Sequence, residues 1–298
     1  MRESNHQPHR LSPKTKKLIF GLIIILLLTV FGGYELVLVP MDETAPNQEG
    51  SLRVVFLDVG QGDSTLLCMP NGDFALVDAG ENDYGEAVTQ KLRSYGVNRL
   101  SFAVGTHPHS DHIGGLDVVL SEIDTDVIYM PDFGANTKSY DDLLDVIEAG
   151  NISAEIPEIG DVIYNEDGVR VKVLYNGDGA EDANNASIVL RVTYGEDALL
   201  LTGDAETPVE NQLLQAGEDL TANLYKFGHH GSSTSNSEAF LEAVAPEFGV
   251  VSCGKDNDYG HPHREIRQRV KKYGIALYRT DEMGDILFAS EGTGWETR

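Results

Sequence analysis

Apolar positions come first in short β-type runs, then in runs that alternate with helical spacing. Arg53–Val59, Ser64–Met69 and Phe74–Ala79 follow one another closely, separated by the turn sequences Gly60-Gln-Gly-Asp63 and Pro70-Asn-Gly-Asp73. Glu86–Tyr95 has the helical period, Phe102–Gly105 predicts a strand, and a helix is expected near Gly115–Ser121. Strand Val127–Met130, helix Tyr140–Ala149 and strands Val169–Tyr175, Ser187–Tyr194 and Ala198–Thr202 continue the order. Helices Pro208–Gln215, Glu238–Ala243 and Arg264–Tyr273 then alternate with strands Ala222–Phe227 and Phe248–Ser252, and Ile275–Tyr278 and Ile286–Ala289 close the chain. Strands with helices interleaved in two sets predict an α+β fold of stacked sheets covered by helices.

The first 40 positions break this pattern. Residues 1–17 carry five basic side chains against Glu3 and read as a basic cytoplasmic tail. Residues 18–39 are almost wholly apolar, about the 20 residues that cross a bilayer. No Ala-x-Ala cleavage site follows, which favours an uncleaved transmembrane anchor over a secretory signal. With the basic side inside, the rest of the chain is expected outside the cell membrane, or secreted if the segment is cleaved. Residues 40–50 read as a polar linker and 51–298 as one domain. From residue 40 onward the chain holds 17 basic and 46 acidic residues, a net of −29 that weighs against non-specific binding of nucleic acid. Cys68 and Cys253 sit in apolar runs, as buried thiols or a disulfide.

Seven of the nine histidines fall in three short segments, each just after a strand-like run. A lone histidine is more often structural than a ligand, but clusters beside acids point to metal. In Thr106-His-Pro-His-Ser-Asp-His-Ile-Gly-Gly115, Pro108 forces an extended chain at His107, so His107 and His109 can converge on one ion. Asp111 and His112 lie where the chain turns into a helix and can reach a second ion. Asp204, ending Leu199-Leu-Leu-Thr-Gly-Asp204, can bridge the two, and His261 in Tyr259-Gly-His-Pro-His263 is a further ligand for the second. His263 is a candidate for capping or orienting the next helix. In Lys226-Phe-Gly-His-His-Gly-Ser232, Lys226 with His229 or His230 suits transition-state stabilisation and protonation of a leaving oxygen.

These residues resemble the metallo-β-lactamase superfamily, which implies an αββα sandwich with a two-metal site at the edge of its sheets. The resemblance is nearer to the hydrolase domain of ComEC-type competence DNA-channel proteins. It rests also on Phe56-Leu-Asp-Val-Gly-Gln-Gly-Asp-Ser64, Val77-Asp-Ala-Gly80 and Asn184-Asn-Ala-Ser-Ile-Val-Leu190. It implies His107 and His109 on one metal, Asp111, His112 and His261 on the other, and Asp204 between, with Asp111 positioning the attacking water. Residues 113–203 hold no histidine, so the third first-site His of the wider superfamily is missing. Asn185, Ser187, water or His230 would complete that site, which points away from β-lactams. In tRNA-processing members a His between the bridging Asp and the final ligand is the general acid, a place comparable to His229 or His230.

The expected activity is phosphodiester hydrolysis with two divalent ions, Zn²⁺ or Mn²⁺, on a phosphate-ester substrate that includes DNA among the candidates. The alternatives are a phosphoesterase of a cell-envelope component, such as a choline-phosphate esterase, a lactonase or thioesterase, and a non-enzymatic surface scaffold.

Overall fold

The computed structural model describes residues 50–297. The expected tail, membrane anchor and all but the last residue of the linker lie outside the described residues. Two large sheets stack face to face. The first has eight strands in the order Trp295–Thr297, Ile286–Ser290, Leu52–Phe56, Thr65–Cys68, Phe74–Val77, Phe102–Val104, Val127–Tyr129 and Ser153–Glu155. The second has seven, in the order Ala276–Arg279, Phe248–Val251, Leu224–Lys226, Asp197–Leu201, Val189–Tyr194, Val169–Tyr175 and Val162–Glu166.

Side-chain alternation sorts the strand residues into layers. Leu52, Val54 and Phe56 turn inward to meet Val169, Val171 and Val173 of the other sheet, forming the central core. Val55, Leu66 and Leu76 face outward onto helices Gly85–Ser94, Leu116–Glu122 and Lys138–Gly150, through Val88, Leu92, Val119 and Leu143. On the far side Val189, Leu200 and Tyr225 pack against helices Thr207–Ala216, Glu238–Val244 and Arg264–Tyr273, through Leu213, Phe240 and Ile266. The result is the stacked, helix-covered pair of sheets that the strand and helix pattern predicted, in the αββα order that the resemblance implied. Cys68 belongs to the first outer layer and Cys253 to the second; both are buried free thiols. Burial pushes each thiol up to about 12.

Each sheet is antiparallel in one half and parallel in the other. Phe74–Val77, Phe102–Val104 and Val127–Tyr129 run parallel in the first, as do Asp197–Leu201, Leu224–Lys226 and Phe248–Val251 in the second. Parallel neighbours need crossovers, so the loops that follow them leave from one common edge of their sheet. Those loops carry Asp78, the 106–115 motif, Asp204, the His229-His230 pair and His261.

Three strands of the two large sheets escape the apolar pattern: Ser153–Glu155, Val162–Glu166 and Trp295–Thr297. All sit at or next to a sheet edge, where solvent relaxes the demand for apolar residues. The helix expected near Gly115 divides into Ser110–Ile113 and Leu116–Glu122. A Cβ on Gly114 would come 2.4 Å from the Ser110 carbonyl oxygen, and one on Gly115 would come 2.5 Å from that of Ala79. Glycines there let the junction press against the loop that holds Asp78.

Candidate metal centre

The 106–115 loop leaves strand Phe102–Val104 and is held from behind by Asp78. The Asp78 carboxylate accepts from the Thr106 N–H and Oγ1–H, both at 2.8 Å, and lies 2.8 Å from His112 Nδ1. A carboxylate only accepts, so Nδ1 of His112 carries the proton and Nε2 is left facing the centre. There Nε2 stands 3.1 Å from Asp204 Oδ1, yet both atoms are buried without a hydrogen-bond partner. Two such atoms converging on a common point are what a cation requires.

Four buried groups gather around that point: Asp63, His112, Asp204 and His230. Asp63 arrives on the turn Gly60–Asp63, whose N–H at Asp63 donates to the Asp111 carbonyl at 3.0 Å. A Cβ on Gly62 would lie 2.4 Å from that same carbonyl oxygen, so glycine is what lets the two loops touch. His230 Nδ1 donates to the Ser252 carbonyl at 3.0 Å and stands 3.2 Å from Asp63 Oδ1. Its Nε2 faces Asp111 Oδ2 at 3.1 Å and Asp204 Oδ2 at 3.6 Å. His229 and His230 both have left-handed backbone, φ 50° and 53°, a conformation bulky residues rarely adopt. Strain of this kind gathers at functional sites.

A second group comprises His107, His109 and Asp204. His107 is buried, with Nδ1 3.2 Å from Ser187 Oγ and from Thr106 Oγ1. Its Nε2 lies 3.1 Å from His109 Nδ1 and 3.9 Å from Asp204 Oδ2. His109 is exposed on a cleft of about 620 Å³, also lined by Asp111, His229, Tyr259 and His261. The candidate centre is therefore asymmetric, with one enclosed donor group and one open to the cleft, and Asp204 stands between them.

Asp111 and His261, expected on the second metal, line the open side of the enclosed group. The His261 ring stacks on His230 at 6.0 Å between centroids, and its Nδ1 is buried without a partner. Ser187 turns its Oγ to the Asp204 N–H at 2.9 Å and to His107, so it orients two ligands. Asn185 spends its amide on Asp182 and the Glu206 N–H, bracing the turn after Asp204. His263 Nδ1 accepts from the Ser233 N–H at 2.9 Å, and its Nε2 lies 3.1 Å from the Tyr259 carbonyl. Lys226 requires a correction. It is 2% exposed and ion-paired with Asp63, so its ammonium sits behind the cation site and cannot reach a substrate in the cleft. Asp63 and Asp78 escaped the sequence reading because one follows the glycine of a turn and the other stands at a strand end. The one sequence signal they gave was their place in the quoted motifs Phe56–Ser64 and Val77–Gly80.

Charge is balanced within the cluster. Burial would lower His230, but the Asp204 and Asp63 carboxylates push it up to about 10. His112 is likewise held well above the usual imidazole value by Asp204 and Asp78, against burial. Burial works against ionisation of Asp63, yet Lys226 and His230 hold it down to about 2. Burial and the neighbouring His112 keep His107 well below the usual range. His230 thus carries a proton at neutral pH that a cation must displace. Zinc uptake is expected to release about one proton or more per chain at pH 7, with affinity rising toward alkaline pH. Titration calorimetry of chelator-stripped protein, in buffers of different ionisation enthalpy, counts those protons. A count of zero would contradict the arrangement.

A family model described as "Metallo-beta-lactamase superfamily" matches residues 57–255. The chain is 35% identical over 269 residues to "Competence protein ComA" of Neisseria gonorrhoeae, covering 89% of this chain and 35% of that protein. It is 28% identical over 254 residues to "ComE operon protein 3" of Bacillus subtilis, covering 79% of this chain and 33% of the relative. The chain thus spans about a third of the length of the curated relatives it matches. Among solved structures, a metallo hydrolase from the archaeon Ignicoccus hospitalis is similar in fold, with TM-score 0.52 and 13% identity over 80% of this chain and 98% of that one.

Proposed function

From the premise that the chain belongs to the metallo-β-lactamase superfamily and is a metal-dependent hydrolase, we propose that it cleaves phosphodiesters at the outer face of a membrane. The observation that carries the reading is the position of Asp204. Its Oδ1 meets His112 in the enclosed group, and its Oδ2 meets His107 in the open one. A carboxylate shared by two cation sites suits in-line displacement at phosphorus, where attacking and leaving oxygens both need charge neutralised. The competence and recombination proteins among its relatives support a nucleic-acid phosphodiester, and the basic 1–17 and apolar 18–39 segments support the membrane location.

Asp63, His112, Asp204 and His230 would hold one divalent ion, and His107, His109 and Asp204 the other. When bound, the ions would supply Lewis acidity toward the phosphoryl oxygens and acidify water. The protein's own residues divide the remaining work. Asp111 faces the cleft within reach of His230 and orients the attacking water by accepting its hydrogen bond. His230 is fixed through Ser252 and enclosed among carboxylates, so it is a ligand. His229 stays at the rim, with Nδ1 3.3 Å from Glu206 Oε1 and 3.2 Å from Thr234 Oγ1, in the pose of an imidazole backed by a carboxylate. Its Nε2 stands 3.6 Å from Asp204 Oδ2 at the floor of the cleft and is the proton donor to the leaving oxygen.

The metal-replete protein is expected to cleave bis-nitrophenyl phosphate, and His229→Gln to lower kcat about 10²- to 10⁴-fold with metal content unchanged. No phosphodiesterase activity with Zn²⁺ or Mn²⁺, beside turnover of lactones or thioesters, would refute the reading. Equal kcat in the variant would remove His229 from the proton transfer.

A further inference from the structure

Tyr259 stands out among the large side chains of the cleft because it is held in solvent. It is 67% exposed, and its hydroxyl has no partner among the described residues. Yet the loop that carries it is tied down at both ends. Asn257 Nδ2 donates to the carbonyls of Gly254 and His261, and its Oδ1 accepts from the His261 N–H. Gln61 Oε1 accepts from the Gly254 N–H at 3.1 Å, tying the loop's start to the turn that carries Asp63. His263 reaches the Tyr259 carbonyl from the other end.

The ring itself continues a stack. Tyr259 lies on His261 at 5.6 Å and 18°, and His261 lies on His230 at 6.0 Å and 30°. Three near-parallel rings thus lead from the enclosed cation site to the rim. Tyr259 and Gln61 also divide the metal cleft from a neighbouring depression of about 540 Å³. A flat aromatic ring presented this way, at low cost in ordering, is what stacking recognition uses. Asp256 and Asp258 flank it, so a backbone phosphate gains nothing there, whereas an uncharged ring does.

Resting on the phosphodiesterase reading, we propose that Tyr259 is a stacking platform for an unpaired nucleobase flanking the scissile phosphate, which makes single-stranded nucleic acid the preferred substrate class. A paired base has both faces occupied and cannot mount the ring. Tyr259 is thus a specificity residue that takes no part in metal binding.

The test is calorimetric binding of thymidine 5′-monophosphate, 2-deoxyribose 5-phosphate and phosphocholine to the zinc-loaded full chain. Expected is at least roughly 10-fold tighter binding of the base-bearing ligand, lost in Tyr259→Ala, kept in Tyr259→Phe, with zinc content constant. Equal binding of the first two ligands overturns the proposal while leaving the phosphodiesterase reading intact. Tighter binding of phosphocholine overturns it in favour of a cationic head group over the ring. Loss in Tyr259→Phe as large as in Tyr259→Ala also overturns it, because stacking does not need the hydroxyl. A wild type that binds none of the three and cleaves no phosphodiester overturns both.

Discussion

Asp204→Asn is expected to reduce bound metal below one ion per chain and to lower hydrolysis on the order of 10³-fold or more. The substitution keeps the volume of the side chain and leaves the backbone N–H free to reach Ser187 Oγ. What it removes is the negative charge that both cation groups share. Asp204 Oδ1 is buried with His112 Nε2 at 3.1 Å, and its Oδ2 faces His230 at 3.6 Å and His107 at 3.9 Å. An amide offers one neutral oxygen and two hydrogens, so at most one site keeps a weakened ligand. The same change removes the carboxylate that contributes most to raising His112 and His230, so both imidazoles lose protons at lower pH than in the wild type. Elemental analysis with circular dichroism separates metal loss from unfolding. A folded variant retaining two ions and full rate would show that the sites do not share this residue.

Lys226→Met is expected to destabilise the chelator-treated protein by about 3–5 kcal/mol, because it breaks a buried ion pair and leaves Asp63 only its weaker interaction with His230. Both side chains are nearly inaccessible, at 2% and 3% exposure. Lys226 is the largest influence holding the Asp63 carboxyl down to about 2 against the effect of burial. A carboxylate lowered on folding stabilises above its unfolded value, about 3.9, and that contribution is lost as pH falls toward 2. The variant should therefore lack part of the wild type's stability loss in that acid window. A divalent cation bound to Asp63 can replace the missing charge, so excess Zn²⁺ should narrow the gap between variant and wild type. Urea midpoints with and without Zn²⁺ measure both effects. Coincident midpoints in the absence of metal would mean the pair contributes nothing.

Much of the fold and part of the centre could be read in the sequence, for reasons specific to each residue. Val54 to Phe56 lies between a second sheet and a helical layer, and that double burial gives a continuous apolar run. Ser153–Glu155 is fully exposed, and its strand character comes only from pairing with Val127–Tyr129, so its local sequence carries no trace of it. The histidines were legible because few other roles explain three clusters after strands. Asp63 and Asp78 were not, since an acid after glycine or at a strand end is ordinary turn chemistry. Lys226 misled for a related reason: a lysine is expected at solvent, and only the position of Asp63 across the sandwich shows why this one is buried.

The two sheets contribute unequally and indispensably to the centre. Asp63, Asp78 and the 106–115 loop leave the eight-stranded sheet, whereas Asp204, His230 and His261 leave the seven-stranded one. Neither half alone can assemble the donor set of either ion. It follows that cation capture waits for the halves to dock, and that a captured ion works as a clasp across the interface. Folding and maturation of this enzyme would then be ordered in time, with sheets first, their docking second and the metal last.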